Sequence, residues 1–325
     1  MNDNYQDVLQ QYEVEILEVR RGRGAWICEC ADGIKLLKEY RGTQKRLEFE
    51  EAVLAALKEQ GISQVDQYVR SREGEILAAA EDGTKYILKD WFSDRECNLK
   101  ERREILTAVS WIARLHLAFR QIPWQEEWSL GSILPPSLTE EMQRHTKEMK
   151  RVRQFISKKR KKSEFELCVM QNFSGFYEQA LKAQKGLELL GENTRQVRPF
   201  LCHGDLNQHH VLMHGNSVAF IEFSQMHLGE QMEDLYHFMR KVMEKHNWNE
   251  YLGLSMIDTY DAVFPLNSHA RKCLYYLFLY PEKYWKQLNY YNNANKAWIP
   301  EKNVEKIKSL EAQQELKMKF MTKID

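Results

Sequence analysis

The stretch that decides the fold of this chain is Leu201–Leu212, LCHGDLNQHHVL, followed closely by Val218–Phe223, VAFIEF. The first segment ends in a short apolar run and the second begins with one. Two such runs joined by a short polar linker are typical of a β-hairpin. His-Gly-Asp, at residues 203–205, is then predicted to form a loop just before the first strand, and Glu222 to lie within the second.

Upstream of this hairpin, the pattern favours strands. The apolar–polar alternation of Val14–Val19 changes phase halfway, which predicts a β-bulge near Ile16-Leu17. Gly22 and Gly24 indicate a turn, and Asp32-Gly33 indicates a hairpin turn. More strands are predicted at residues 34–40, 65–71, 75–80 and 86–92, with a helix at residues 45–60.

After residue 92 the pattern becomes helical. Residues 99–119 carry apolar side chains at a spacing near 3.6, and most of the chain that follows has the same character. The sequence therefore predicts an α+β protein with a β-rich lobe at residues 1–92 and a larger helical lobe at residues 93–325.

Composition excludes several classes of protein. The 325 residues include 47 Lys and Arg against 47 Asp and Glu, so the balance gives no reason to expect nucleic acid or a membrane as a partner. There is no apolar run of about 18 residues, and the polar start lacks the features of a secretory signal. Six cysteines without a Cys-x-x-Cys pair argue against a zinc site and for reduced thiols in a cytosolic protein.

The His203-Gly204-Asp205 loop and the strand pair after it resemble the catalytic and metal loops of aminoglycoside-phosphotransferase-like kinases. The resemblance implies a two-lobed protein-kinase-like fold with ATP in the cleft. It implies that Asp205 accepts the proton of the substrate hydroxyl or orients that hydroxyl, and that His203 and Gly204 position Asp205. His210 stands where that superfamily has a metal-binding Asn, and Glu222 where it has a metal-binding Asp. The implied cofactors are ATP and Mg²⁺ or Mn²⁺.

Both metal positions depart from the superfamily pattern. A neutral imidazole at His210 suits softer metals than Mg²⁺, and Glu222 adds a methylene that moves the carboxylate by about 1 Å. Asn207, Gln208 and His209 are nearby alternatives as ligands. For each loop histidine, a simple hydrogen bond to a backbone carbonyl is the structural alternative.

The same resemblance implies nucleotide contacts in the β-rich lobe. Gly22 and Gly24 stand where kinases have a loop that covers the phosphates, although a plain turn is the alternative. Lys38 matches the lysine that pairs with the α- and β-phosphates, and Lys35 is the competing lysine on the opposite face of the strand. The predicted ion-pair partner of Lys38 is Glu50, with Glu51 as second choice. The hinge that meets adenine is predicted at Leu88–Phe92, which contains Lys89, Asp90 and Trp91.

A narrower resemblance, from about residue 12 to 320, is to the CotS family of bacterial spore-coat proteins. It implies association with the spore coat after synthesis in the cytoplasm of an endospore-forming bacterium. The two functions to be distinguished are a phosphotransferase that acts on an unknown hydroxyl-bearing acceptor (a small molecule, glycan or coat protein) and a pseudokinase that assembles with other coat proteins. The segments that carry the resemblance are Gly33–Lys38, Lys89–Phe92 with Arg95–Cys97, Asp234–Lys241, Tyr280–Trp285 and Asn292–Trp298.

Overall fold

A computed structural model describes residues 5–93, 95–129, 131–193, 200–294 and 300–324. The chain forms two compact units, one of residues 1–134 and 201–228 and the other of residues 135–200 and 229–325. Residue 92, the predicted end of the β-rich lobe, is not a boundary between these units. The first unit also takes in the hairpin that carries His-Gly-Asp.

The described part of the first unit begins with eight elements: α1 (Tyr5–Leu9), β1 (Ile16–Gly22), β2 (Ala25–Cys30), β3 (Gly33–Glu39), α2 (Gln44–Glu59), β4 (Tyr68–Val69), β5 (Leu77–Ala79) and β6 (Lys85–Trp91). The six strands form an antiparallel sheet with the order β1-β2-β3-β6-β4 and with β5 paired to β6. The β1–β2 register skips between Ile16 and Glu18, so the bulge predicted near Ile16-Leu17 is present. The second hairpin turn consists of Ala31 and Asp32, one residue earlier than predicted.

The two faces of this sheet bury different apolar groups. Leu37 and Leu88 face one side, where they pack in a buried cluster with Val8 of α1. Leu36 faces the other side, in a cluster that includes Ile221. Because side chains alternate along a strand, the face of Leu36 is also the face of Lys38 and, one strand over, of Lys89, whose cross-strand partner is Leu36.

The predicted hairpin lies against that second face. It consists of β8 (Val211–His214) and β9 (Ser217–Phe220), paired from Val211↔Phe220 to His214↔Ser217. Leu212 and Ala219 belong to the same buried cluster as Leu36. The remaining elements are α3 (Arg102–Gln121), β7 (Phe200–Cys202) and β10 (His227–Gly229). Two 3₁₀ turns, Glu126–Trp128 and Phe223–Gln225, also belong to this unit.

The second unit is helical where it is described. Its core is aromatic, with Tyr260, Tyr284 and Phe278 at most 1% exposed. Among the described residues, every helix is too short or too polar to span a lipid bilayer. Residues 295–298 of the segment Asn292–Trp298 lie outside the described residues. The helices are α4 (Leu138–Ser157), α5 (Glu164–Asn193), α6 (Met232–Lys245), α7 (Glu250–Val263), α8 (Ser268–Leu279), α9 (Glu282–Asn293), α10 (Glu301–Ala312) and α11 (Gln314–Met321).

Candidate active site

The loop before β8 is held tightly to the segment after β9. Gly204 has φ +83°, and a Cβ built there would lie 2.1 Å from the carbonyl oxygen of Gln225. Any side chain at this position would meet both a strained backbone and a backbone atom. His203 is fully buried, and its Nε2 lies 3.1 Å from the carbonyl oxygen of Ile221, while its Nδ1 accepts from the backbone N–H of Asp205 at 3.3 Å. His203 and Gly204 therefore fix the backbone of Asp205.

Asp205 presents a carboxylate whose orientation is fixed by a neighbour. Its side chain is 52% exposed, and Oδ1 accepts from Nδ2 of Asn207 at 3.0 Å. Asn207 is itself buried, and its Oδ1 accepts the backbone N–H of His209 at 2.9 Å. The amide that the sequence suggested as a substitute metal ligand thus braces the loop and the carboxylate. An exposed, oriented carboxylate can accept the proton of a bound hydroxyl.

His210 lies beside Asp205 but turns one ring nitrogen toward the backbone. Nδ1 is 2.8 Å from the carbonyl oxygen of Asp205 and 3.5 Å from its carboxylate Oδ2. A carbonyl oxygen only accepts, so this contact assigns a proton to Nδ1, and in the neutral ring the lone pair is then on Nε2. The hydrogen bond to a backbone carbonyl is the structural alternative considered for the loop histidines.

Glu222 begins the segment after β9 in a left-handed conformation, with φ +65°. Its backbone N–H donates to Oδ2 of Asp66 at 3.1 Å. Both carboxylate oxygens accept from Nζ of Lys38, at 2.9 and 3.0 Å. Burial raises the pKa of Glu222, but the charge and hydrogen bonds of Lys38, together with the electrostatic effects of Lys89 and His210, outweigh burial and leave this pKa below its ordinary value. A non-glycine residue held at positive φ is a strained backbone of the kind that functional sites contain.

A buried ion pair lies under Glu222. Nζ of Lys89 is 2.8 Å from Oδ2 of Asp66, and these side chains are 7% and 1% exposed. Burial raises the pKa of Asp66 even though Lys89 acts to lower it. Oδ1 of Asp66 is buried without a hydrogen-bond partner among the described residues. Sequence reasoning missed Asp66, because a single acidic residue between a helix and a short strand has no distinguishing pattern.

The predicted ion pair between Lys38 and Glu50 is not formed. Oε1 of Glu50 accepts from Nε of Arg46 at 2.8 Å, and its Oε2 accepts from the hydroxyl of Tyr68 at 2.5 Å. Arg46 also donates to the carbonyl oxygen of Ser224 at 3.0 Å, so this buried pair anchors α2 to the segment after Glu222. Glu51, the second choice, binds Arg70. Lys38 has Glu222 as its partner instead.

The predicted hinge, Leu88–Phe92, is mostly strand. β6 lies between β3 and β4, so Leu88 and Lys89 are paired on both sides, and the backbone N–H of Asp90 donates to the carbonyl oxygen of Gln67. Backbone groups bound in this way are not available to a base. Asp90 faces away from Lys38 and binds Lys35 at 2.8 Å, which confirms that the two lysines lie on opposite faces. Trp91 is the last residue of the strand.

The turn expected to cover phosphates is a tight hairpin. Gly22 pairs with Ala25, which leaves Arg23 (φ +53°) and Gly24 (φ +71°) as its two central residues. Two residues at positive φ are typical of a type I′ turn. Gly24 supplies that conformation without cost, whereas Gly22 ends β1 at negative φ.

The tip of this hairpin is attached to the Asp205 loop through Arg23. Nη2 of Arg23 is 2.8 Å from Oε1 of Glu96, and Nη1 donates to the carbonyl oxygen of His209 at 3.2 Å. Oε2 of Glu96 lies 2.6 Å from Nδ1 of His209. Sequence reasoning did not identify Arg23 or Glu96, because they are far apart in the chain and each is an ordinary charged residue.

The side chains around His210 and Glu222 are not arranged as a preformed site for the expected divalent ion. Among the described residues, no three His, Cys, Asp or Glu side chains converge on a point that could hold a metal. Both oxygens of Glu222 are bound to Lys38, and an ammonium and a metal ion cannot occupy the same carboxylate face. The assignment of His210 and Glu222 to a metal stays a prediction.

A family model described as "Phosphotransferase enzyme family" matches residues 20–260. No curated protein sequence matches the chain significantly.

Solved structures with the same fold cover nearly the whole chain. An aminoglycoside phosphotransferase from Alicyclobacillus acidocaldarius subsp. acidocaldarius DSM 446 has a TM-score of 0.84 at 15% identity, covering 98% of this chain and 94% of that one. The AMP-bound spectinomycin phosphotransferase APH(9)-Ia gives 0.67 at 11% identity, covering 96% of each chain. The amicoumacin kinase hAmiN, in complex with AMP-PNP and Ca²⁺, gives 0.60 at 12%, covering 97% of this chain and 92% of that one. At these identities the likeness shows the fold, and the predicted kinase-like α+β fold is confirmed.

Proposed function

Since the chain belongs to the phosphotransferase enzyme family, we propose that it transfers the terminal phosphoryl group of ATP to a hydroxyl group of a small molecule. The observation that carries this proposal is the carboxylate of Asp205, which is exposed and held in one orientation by Asn207. Phosphoryl transfer needs an acceptor oxygen placed in line with the phosphorus, and a fixed carboxylate can orient that hydroxyl and take its proton.

The positive charge that a triphosphate requires is supplied on the same face of the sheet. The side chain of Lys38 is 37% exposed. Its ammonium is therefore already accessible to solvent and can exchange the carboxylate of Glu222 for a phosphate oxygen. Arg23, at the tip of the β1–β2 turn, is a second exposed cation near the Asp205 loop. Lys89 is buried against Asp66 and holds that carboxylate under Glu222. In this proposal Lys38 contacts phosphate and Lys89 supports the segment that contains Glu222.

The nucleotide is supported by the fold and by relatives in nucleotide complexes. The spectinomycin phosphotransferase was solved with AMP, and the amicoumacin kinase with AMP-PNP and Ca²⁺. ATP with Mg²⁺ or Mn²⁺ is the corresponding proposal for this chain. A divalent ion would neutralise phosphate charge; Nε2 of His210 and the carboxylate of Glu222 are the ligands proposed for it, but they are not arranged as a metal cluster here.

The proposed setting is the bacterial spore coat, and it rests on sequence segments alone. Asp234–Lys241 and Tyr280–Trp285 resemble the CotS family more closely than the general phosphotransferase pattern. In that setting the acceptor would be a hydroxyl of a small molecule, glycan or coat protein, and the partners would be other coat proteins.

A second candidate function is that of a pseudokinase with a structural role in coat assembly. The specific observation in its favour is the Lys38–Glu222 ion pair, which neutralises the two side chains expected to bind phosphate and metal. If the pair persists when nucleotide is present, the site lacks both contacts. Nucleotide binding therefore distinguishes the two functions.

The deciding experiment is calorimetric titration with ATP, with and without Mg²⁺ or Mn²⁺, on wild type, Lys38→Met and Asp205→Asn, alongside a measurement of ATP turnover. We expect Asp205→Asn to bind ATP like wild type but to turn it over about a hundredfold more slowly, because general-base catalysis contributes about 10²–10⁴-fold. Lys38→Met should weaken ATP binding. Lys45→Met, an exposed lysine on α2, serves as control.

Each outcome of this experiment decides between the two functions. Equal turnover by wild type and Asp205→Asn would contradict the catalytic assignment. Absence of ATP binding by wild type under every metal condition would contradict the phosphotransferase proposal and leave the pseudokinase as the supported function.

A further inference from the structure

Helix α4 and the turn that follows it carry a local excess of positive charge. Residues 144–162 contain ten Lys and Arg side chains and one acidic side chain, Glu148, although the whole chain has 47 of each sign. The zero net charge is therefore the sum of a basic segment and an acidic remainder. The whole-chain balance gave no reason to expect an anionic partner, but it does not describe this segment.

Most of these cations lie on the side of α4 that faces solvent. At about 100° per residue, five exposed side chains fall within about 80° of one another and extend for about 20 Å along the helix. We call them the basic face: Arg144, Lys147, Arg151, Phe155 and Lys158. The opposite side of the helix is the buried stripe of Met142, Thr146, Met149, Val152 and Ile156.

The cations of this region have little acidic compensation. Arg144 lies 3.3 Å from Glu141, and Glu148 accepts from Nε1 of Trp285 at 2.8 Å. Six other exposed cations, on α4 and just after it, form no ion pair with any residue in the described ranges: Lys147, Lys150, Arg151, Lys158, Arg160 and Lys161. Their charge is therefore available to an external anion.

The stability of α4 does not explain this arrangement. The helix dipole favours cations only in the last turn, whereas Lys147 and Arg151 lie before it. These two residues are four apart, so their like charges repel each other. A face that served only solubility would mix charges of both signs. The basic face is therefore better explained by an anionic surface outside the chain.

One aromatic ring is exposed among these cations. Phe155 is 56% exposed, with Nζ of Lys159 5.3 Å from its ring centroid and the ring of Tyr291 6.3 Å away. An exposed ring beside cations matches a surface that offers anionic groups with an apolar layer beneath them, as a lipid bilayer does. The phosphate backbone of a nucleic-acid duplex offers the anionic groups without the apolar layer.

We propose that the basic face binds the surface of a lipid bilayer that contains anionic headgroups. The lysine and arginine side chains contact the headgroups, and the ring of Phe155 enters the boundary between headgroups and acyl chains. In this arrangement α4 lies on the bilayer and does not cross it. The proposal does not rest on the phosphotransferase chemistry, so either one can fail without the other.

The test is flotation of the full chain, without nucleotide, with vesicles of phosphatidylcholine alone or mixed with phosphatidylglycerol. Wild type should bind the mixed vesicles, and the binding should decline as salt is added. Lys147→Gln/Arg151→Gln/Lys158→Gln should bind about a hundredfold more weakly, since each cation near an anionic surface contributes about fivefold. Phe155→Ser should bind about tenfold more weakly, because the ring no longer leaves water.

A matched control separates the basic face from net charge. Lys45→Gln/Lys58→Gln/Lys85→Gln has the same net charge as the first triple variant, and its three lysines are exposed side chains of the first unit. This control should bind the mixed vesicles like wild type. All the substituted side chains are exposed, so each variant is expected to keep the melting temperature of wild type. Phe155→Ser gives the decision if the basic-face triple variant does not fold.

Four results would overturn the proposal. The first is no binding of wild type to the mixed vesicles at low salt. The second is equal binding by wild type and the basic-face triple variant. The third is equal binding by wild type and Phe155→Ser, which would contradict the entry of the ring. The fourth is tighter binding to duplex DNA than to vesicles at the same phosphate concentration, which would assign the basic face to nucleic acid.

Discussion

The ion pair between Lys38 and Glu222 joins the two charged side chains of the candidate active site that are expected to bind phosphate and metal. The pair lowers the pKa of Glu222 against the effect of burial. A carboxylate whose pKa is lower in the folded than in the unfolded state adds stability above its unfolded pKa, and this stability is lost as the pH falls through the folded value. The side chains are 37% and 24% exposed, so solvent screening reduces the contribution.

This pair predicts a pH-dependent effect of Lys38→Met. We expect the variant to be less stable than wild type by about 1 kcal/mol at pH 7 and the difference to shrink as the pH is lowered below the ordinary glutamate range, where Glu222 becomes protonated. Urea denaturation at a series of pH values measures this. Lys45→Met should show no such trend, and a constant difference for Lys38→Met at all pH values would contradict the assignment of the effect to Glu222.

Residue identity could be predicted from the sequence where a motif was short and local, and not where a contact was distant. His203, Gly204 and Asp205 form one loop because three consecutive residue types specify it. The partner of Lys38 could not be predicted, because Glu50 and Glu222 both carry a carboxylate. Only the folded chain shows that Arg46 and Tyr68 donate hydrogen bonds to both oxygens of Glu50.

Among the elements, the loop from β7 to β8 depends on one glycine. Gly204 combines φ +83° with a predicted Cβ contact of 2.1 Å to a backbone oxygen, whereas Gly215, in the β8–β9 turn, has φ +59° and open space around it. Both positions therefore require a positive φ, but only Gly204 also has a backbone atom where a Cβ would lie.

The pair of glycines gives a matched prediction for Gly204→Ala and Gly215→Ala. Both should destabilise the protein, Gly215→Ala by about 1 kcal/mol from backbone strain and Gly204→Ala by about 2–4 kcal/mol because the loop must also move away from Gln225. Denaturant midpoints compare them. Equal losses would show that the loop accommodates a methyl group and that the close approach is not required.

Strands and helices were predicted well because their apolar periodicity is local. Helix α2, expected at residues 45–60, runs from Gln44 to Glu59, and the bulge near Ile16-Leu17 follows from a change of phase in the alternation. The hinge at Leu88–Phe92 stays a prediction, and periodicity did not show that β4 pairs with β6 at Leu88 and Lys89.

At the scale of the whole molecule, the candidate active site lies within one of the two compact units. The Asp205 loop, Lys38 and Glu222 all belong to the first unit, although they come from distant parts of the chain. The sequence could not predict this division, because the chain leaves the first unit after residue 134 and returns to it at residue 201. Such a return depends on contacts between distant segments, which local patterns do not encode.

ATP should therefore protect amides of the first unit from hydrogen exchange. With ATP, the largest slowing is expected in β3, β6 and the β7–β8 loop, and little change is expected in α7 and α10 of the second unit. Exchange measured by mass spectrometry with and without ATP tests this. Slowing confined to the second unit would contradict the proposed position of the nucleotide.

The bonds that Arg23 makes with Glu96 and with the backbone of His209 have a kinetic consequence. They fasten the tip of the β1–β2 hairpin to the loop that carries Asp205. If the proposed ATP occupies the space between these two loops, it can enter only after these bonds have opened, and the opening frequency of the hairpin then sets an upper limit on the rate of entry. Arg23 and Glu96 are exposed, so salt weakens their attraction. A higher ionic strength would then raise the rate at which a ligand enters the site, and this effect on the association rate would be separate from any effect on affinity.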